Sequence, residues 1–139
     1  MIIMKNLVIL SIIVACIGIY ACNKDEDSDR FKLLTSPVWL TDSLLAGGVN
    51  AGGPGGLLES FQGDAKFNTD GTGYIGDYTG QWRFNQDETE ITIVTDSLAL
   101  PIICDIELLT KEDLKINTVV PNPFNQQDQI DIRMTFKAK

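Results

Sequence analysis

The sequence predicts an all-β domain, an up-and-down antiparallel meander of about eight strands that closes into a small barrel. Three observations lead there. Short stretches of alternating apolar and polar residues recur from Val38 to the C-terminus, the period that sends every second side chain to the same face of a strand. Turn-forming clusters punctuate them: Asp70-Gly71, Gly76-Asp77, Asn85-Gln86-Asp87-Glu88, Asp96-Ser97 and Thr110-Lys111-Glu112-Asp113. No segment carries a long helical period, so sequential strands joined by short turns are favoured over a parallel sheet.

The chain opens on a different kind of segment. Residues 1–21 hold one charged side chain, Lys5, and an apolar run from Leu7 to Ile19. That run is shorter than the roughly 20 residues a membrane-spanning helix needs, and it has the length of a signal-peptide core. It ends in Ile19-Tyr20-Ala21-Cys22, which resembles the lipobox of bacterial lipoproteins, where a small residue precedes the cysteine that is lipidated and becomes the new N-terminus. The expected organisation is a cleaved leader over 1–21, lipidated Cys22 with an acidic tether over 22–30, and one domain over 31–139. An ordinary cleaved signal peptide and an uncleaved anchor are the alternatives. Asn23 to Arg30 has no apolar side chain to bury and stays solvated; extended, it reaches about 26 Å. Lys24-Asp25-Glu26-Asp27 resembles the acidic export signal of cell-surface lipoproteins in some Gram-negative bacteria, and equally a plain hydrophilic spacer.

Within the domain, Phe31 to Ser36 reads as a short helical turn ended by Pro37, and a first strand follows from about Val38 to Leu45. Ala46 to Gly56, with six glycines and a proline, reads as a long flexible loop at one mouth of the sheet. It lacks the Lys-Ser/Thr ending of a phosphate-binding loop. Leu57 to Phe61 is an apolar cluster that folds over the barrel end. A second strand, Asp64 to Thr69, turns Ala65 and Phe67 to one side, and Asp70-Gly71 suits a type I′ hairpin turn. Tyr74, Gly76, Tyr78, Gly80, Trp82 and Phe84 then recur at every second position and put aromatics on one face. Gly76-Asp77 and Gly80 divide this run into two strands, or bend one. Ile91, Ile93 and Thr95 alternate next, followed by Ile102, Cys104, Ile106 and Leu108, then Leu114, Ile116 and Thr118. Pro121 to Gln129 reads as a polar loop, and Ile130, Ile132, Met134 and Phe136 line the inner side of the last strand.

Composition narrows the chemistry. At 139 residues there is room for one domain, and the formal net charge of −8 speaks against nucleic acid, whose phosphates need a basic face. Histidine is absent, which removes the usual general base and the commonest metal ligand. Cys104 is the single cysteine of the body, set among isoleucines as a small hydrophobe. Asp64, Asp70 and Asp77 lack the spacing of a calcium loop, and the pairs Asp87 with Glu88 and Asp105 with Glu107 read as turn and outward-facing residues rather than a glycosidase pair. No catalytic group, cofactor or metal site is assigned.

Several short motifs in order resemble the lipocalin-like domains of small bacterial lipoproteins. These are Leu34 to Trp39, Phe67-Asn68-Thr69-Asp70-Gly71-Thr72-Gly73, Gly80-Gln81-Trp82-Arg83-Phe84, Ile106 to Ile116, and Met134-Thr135-Phe136-Lys137. Pro37-Val38 departs from the glycine usual before that tryptophan. An eight-stranded barrel is wide enough either to hold one small ligand or to be filled by its own side chains. In the first case Trp39, Phe67, Tyr74, Tyr78, Trp82, Phe84, Met134 and Phe136 line the site; in the second they are core. The resemblance implies a non-enzymatic, lipid-anchored outer-membrane protein, at the cell surface or the periplasmic face, binding a small apolar or amphipathic molecule. The alternative is an interaction or structural module that meets an envelope protein with a filled barrel. Asp42-Ser43-Leu44 and Asp96-Ser97-Leu98 resemble the Asp-Ser-apolar O-glycosylation signal of some of the same bacteria, which makes Ser43 and Ser97 candidate sites.

Overall fold

Residues 26–139 are described by the structure, a computed structural model; the expected leader and Cys22 lie outside the described residues. Ser28 caps the first helix, α1 (Asp29–Thr35). Its side-chain oxygen accepts the Phe31 N–H at 3.0 Å, satisfying one of the donors that a helix start leaves open. The helix therefore begins ahead of the turn expected at Phe31 and takes in Asp29 and Arg30. Seven residues are too few to hold alone, so α1 depends on what it packs against. Lys66 supplies part of that by donating to the Ser36 and Pro37 carbonyls, each at 3.1 Å, beside the helix C-terminus.

Nine strands follow: β1 (Trp39–Ala46), β2 (Val49–Asn50), β3 (Asp64–Phe67), β4 (Thr72–Ile75), β5 (Tyr78–Phe84), β6 (Glu90–Thr95), β7 (Ile102–Leu109), β8 (Asp113–Asn122) and β9 (Asn125–Ala138). All pairings are antiparallel, in the order β2-β1-β3-β4-β5-β6-β7-β8-β9. β1 also pairs with β9, from Trp39↔Ala138 to Ala46↔Ile132, so eight strands close into a barrel and β2 is a flap on the end of β1. This is the all-β meander expected from the sequence.

The turns set the details. Gly47 and Gly48, both at positive φ (+59° and +80°), join β1 to β2 by the two-residue turn that needs that conformation twice. Asp70-Gly71 instead forms a three-residue connection: the Gly71 N–H donates to the Asn68 carbonyl and only Gly71 has positive φ, so the expected type I′ turn is a type I turn followed by a bulge. At Gly76-Asp77 a two-residue turn pairs Ile75 with Tyr78, putting both on the inner face. Inward parity thereby shifts from odd to even numbers, and Tyr74, expected inside, points out. A bulge at Glu107 does the same in β7, turning Leu109 inward and Leu108 outward. Pro121 to Gln129 is not a loop: Pro121 pairs with Gln129 and Asn122 with Asn125 in an extended hairpin.

The glycine-rich segment is pinned rather than loose. β1 bonds β3 only through Trp39↔Ala65 and Leu40↔Asp64, and residues 51–63 fill the seam beyond. There the Ala51 N–H donates to the Leu44 carbonyl, the Leu58 N–H to the Ala51 carbonyl, and the Thr41 N–H to the Gly63 carbonyl, at 2.8–2.9 Å. Leu58 and Phe61 are buried by this arrangement, as expected of the cluster over the barrel end. The barrel thus has a helix end, where α1 and the 68–71, 85–89 and 110–113 turns gather, and a loop end, formed by 47–63, 76–77, 96–101 and the β8–β9 tip.

Glu88 holds the described chain's single positive φ outside glycine, +57°, in the β5–β6 turn. Its carboxylate accepts the Ser28 hydroxyl at 2.6 Å and its carbonyl accepts from Arg30 Nε at 2.9 Å, so α1 docks on a strained residue. Glu88→Ala and Glu88→Gly both lose the carboxylate contact, but only glycine relieves the backbone. Urea unfolding should find Glu88→Gly the more stable of the two by about 1 kcal/mol.

Candidate functional site

The barrel interior was the expected site. Trp39, Phe67, Trp82, Met134 and Phe136 are buried there, with Tyr78 and Phe84 half-buried against them. Tyr74 is 36% exposed and stands on the outer wall rather than among the buried core residues. Both tryptophans find partners for their indole N–H: Trp39 donates to the Leu34 carbonyl of α1 and Trp82 to the Asn68 carbonyl, each at 3.0 Å. Trp82 is the hub of an aromatic cluster. Phe31 of α1, Phe67 and Phe84 lie with ring centroids 5.6, 5.6 and 5.4 Å from it, the last two edge-on. This cluster plugs the helix end.

At the loop end, Phe61 packs against Tyr78 with ring centroids 4.6 Å apart and planes tilted by 50°, covering the barrel beside β3. The Thr41 hydroxyl, 2.8 Å from the Gly63 carbonyl, holds the segment behind it. A cavity of about 20 Å³ lies among Phe61, Phe67, Ile75, Tyr78, Trp82, Ile93 and Thr95, and beside Gly73 and Gly80 it reaches Lys66, Tyr74 and Gln81 of the outer wall. That is room for about one water molecule, far short of the roughly 300 Å³ at which small-molecule sites begin. The Thr95 hydroxyl is buried at this wall with no protein partner, a polar atom that one such water would satisfy.

The remaining candidates are dispersed. Asp64 meets Lys139 at 2.9 Å; Asp70 accepts from the Thr72 hydroxyl and backbone at 2.6 and 2.9 Å, bonds that hold its carboxyl below the usual range; Asp77 lies at the opposite end. Glu107 accepts from Asn117 at 2.9 Å and approaches Arg133 at 3.5 Å, while Lys137 pairs with Asp113 and is held above its ordinary range by that bond. Ser97 is exposed in the β6–β7 loop; Ser43 is half-buried within β1. Cys104 is fully buried, and loss of solvation, reinforced by Asp105, pushes its thiol up to about 12.

Sequence reasoning overlooked the outer wall. Val94, Ile103, Val119, Leu100 and Phe124 are exposed, and the last two stand at the loop end. Ile103 was legible as the outward member of Ile102-Ile103-Cys104, and Phe124 as an aromatic between Pro123 and Asn125 in a stretch otherwise polar.

No family model matches the chain, and no curated protein sequence does. Among solved structures it is similar to bovine odorant binding protein, described as a complex with a selenium-containing odorant. The TM-score is 0.52 at 11% identity, over 86% of this chain and 78% of that one. The fold is lipocalin-like.

Because the thiolate of Cys104 is disfavoured in the fold, iodoacetamide at pH 8 should leave it unlabelled in native protein and modify it fully in guanidinium, read by peptide mass. The unfolded chain ionises this thiol near its ordinary 9.0 and the folded one only near 12, so the thiol's contribution to stability is intact below pH 9 and falls as pH rises between them.

Proposed function

We propose that this protein is a non-enzymatic binding module, anchored to the outer membrane through a lipidated Cys22, whose lipocalin-like barrel is a filled scaffold that meets its partners with its outer surface. The observation that carries this reading is the interior: the aromatic clusters around Trp82 and Tyr78 leave a cavity of only about 20 Å³ between them, room for about one water molecule. The residues that chemistry would draw on serve other ends. The carboxylates Asp64, Asp70, Glu88 and Glu107 are engaged in turns, ion pairs and the docking of α1, and the Cys104 thiol is locked in its protonated form.

The anchor rests on the apolar run that leads to Cys22. Ser28 and α1 sit on the helix end, so the tether would leave the barrel there and the loop end would face away from the bilayer. Ser97, exposed near that far end, is the better placed of the two glycosylation candidates.

A second reading, a carrier of a small apolar or amphipathic molecule, is favoured by the lipocalin-like fold and by the closure at Phe61. The ring of Phe61 rests on Tyr78 and belongs to the segment that lies over the seam beside β3, so a ligand would enter by displacing it. Native mass spectrometry of the domain purified from its own host separates the two readings: a bare protein mass is expected of the scaffold, and a stoichiometric small molecule would establish the carrier. Phe61→Ala should cost about 3 kcal/mol in urea unfolding, and without a carrier function it should not create saturable binding of an apolar dye. Cys22→Ala should move the protein from the membrane to the soluble fraction, and continued attachment would overturn the anchor.

A further inference from the structure

The apolar side chains left outside the barrel are grouped. Val94 on β6, Ile103 on β7 and Val119 on β8 are exposed on three adjacent strands, and the Thr118 hydroxyl donates to the Ile103 carbonyl at 2.6 Å, which makes the last two neighbours. The strip leads to the loop end, where Leu100 is 74% and Phe124 90% exposed. Phe124 occupies the tip of the β8–β9 hairpin, whose final pairs Pro121↔Gln129 and Asn122↔Asn125 reach beyond the last β1 pairing at Ala46↔Ile132. An aromatic carried outward on a projecting hairpin gains nothing for the fold. It is the kind of side chain that anchors an interface by entering a partner's pocket.

Charge says what that partner is. Among the described residues the loop-end segments 47–63, 76–77, 96–101 and 119–131 carry Glu59, Asp77, Asp96, Asp128 and Asp131 and no lysine or arginine. The basic residues of the described chain lie toward the helix end instead, except Arg133, which stands opposite Leu45 on the wall and approaches Glu107. An acidic rim around an apolar strip complements a cationic surface. It repels an anionic bilayer and, equally, a second copy of itself. Strand addition along the hairpin is also disfavoured, since Pro121 and Pro123 lack N–H groups and Asp128 lies on the edge.

We propose that the loop end, with Phe124 and Leu100 as anchors, docks a cationic, apolar-bearing segment of a partner protein. This rests on the surface reading above and names the chemistry of what the surface takes.

The test uses the full chain in zwitterionic nanodiscs, titrated with a dye-labelled amphipathic peptide of lysine and leucine and with versions carrying glutamine or glutamate for lysine. The lysine peptide should bind at least tenfold tighter than the glutamine one and weaken with salt, and the glutamate peptide should not bind. Phe124→Ser and Leu100→Ser should each weaken binding fivefold or more with an unchanged circular dichroism spectrum, while Lys32→Ser at the helix end should leave it alone. Hydrogen exchange should show protection at 96–101 and 119–131. Charge-insensitive binding, indifference to Phe124→Ser, protection at the helix end, capture by anionic vesicles instead, or dimerisation without peptide would each overturn the proposal while leaving the surface reading in place. Exchange changes confined to the barrel-lining strands, with a co-purifying small molecule, would overturn the surface reading itself.

Discussion

The pairing of β1 with β9 is the constraint on which the rest of the molecule depends. It joins the first and last strands of the barrel in register from Trp39↔Ala138 to Ala46↔Ile132, and so removes the two free edges an open eight-stranded meander would present to other chains. The end of the chain is tied in around it: the Lys139 N–H donates to the Val38 carbonyl at 2.9 Å, the Ala138 N–H to the Glu112 carbonyl at 2.8 Å, and the Lys139 ammonium reaches Asp64. No local signal enforces a contact of this sequence separation. It forms because closure alone lets Trp39, Leu44, Ile132, Met134 and Phe136 leave water together.

Closure at eight strands also decides the fate of the interior. The bore is only as wide as the side chains that line it, and here two tryptophans and several phenylalanines point in. Each tryptophan spends its N–H on a carbonyl at the helix end, one in α1 and one in the 68–71 connection, so the plug is fixed by direction as well as by bulk. With Phe61 packed on Tyr78 toward the other opening, these side chains take up much of the volume themselves. A lipocalin-like fold and a filled lipocalin-like barrel are compatible, since the fold sets strand number and tilt while residue size sets what space is left.

The two ends of the barrel consequently diverge. The helix end is held by directional contacts, Ser28 and Arg30 on Glu88, Lys66 on the carbonyls after α1, Phe31 on Trp82, and it collects basic side chains among acidic ones. The loop end has turns built on glycine, connecting segments that among the described residues carry acidic side chains and no basic ones, and apolar tips. A surface divided in this way needs no pocket. It follows from which loops the meander delivers to which end, because successive connections alternate between the two.

Much of the inner face was readable in the chain, since a strand shows it by period two. Ala65 and Phe67, Ile91 and Ile93, Leu114 and Ile116, and Ile132, Met134 and Phe136 all lie inward as that period requires. The reading failed wherever a residue count between strands changed the parity. Tyr74 was carried to the wrong face because the two-residue turn at Gly76-Asp77 resets the alternation, Leu108 because a bulge at Glu107 does so, and Pro121 to Gln129 because a polar stretch can pair when its partner strand is adjacent. By itself, then, the sequence determined the all-β class, the strands and most inward residues, as these depend on local alternation and turn chemistry. Closure, the filling of the barrel and the exposure of Phe124 and Leu100 were decided only by the tertiary structure, because each depends on how volume and surface are shared among strands distant in the chain.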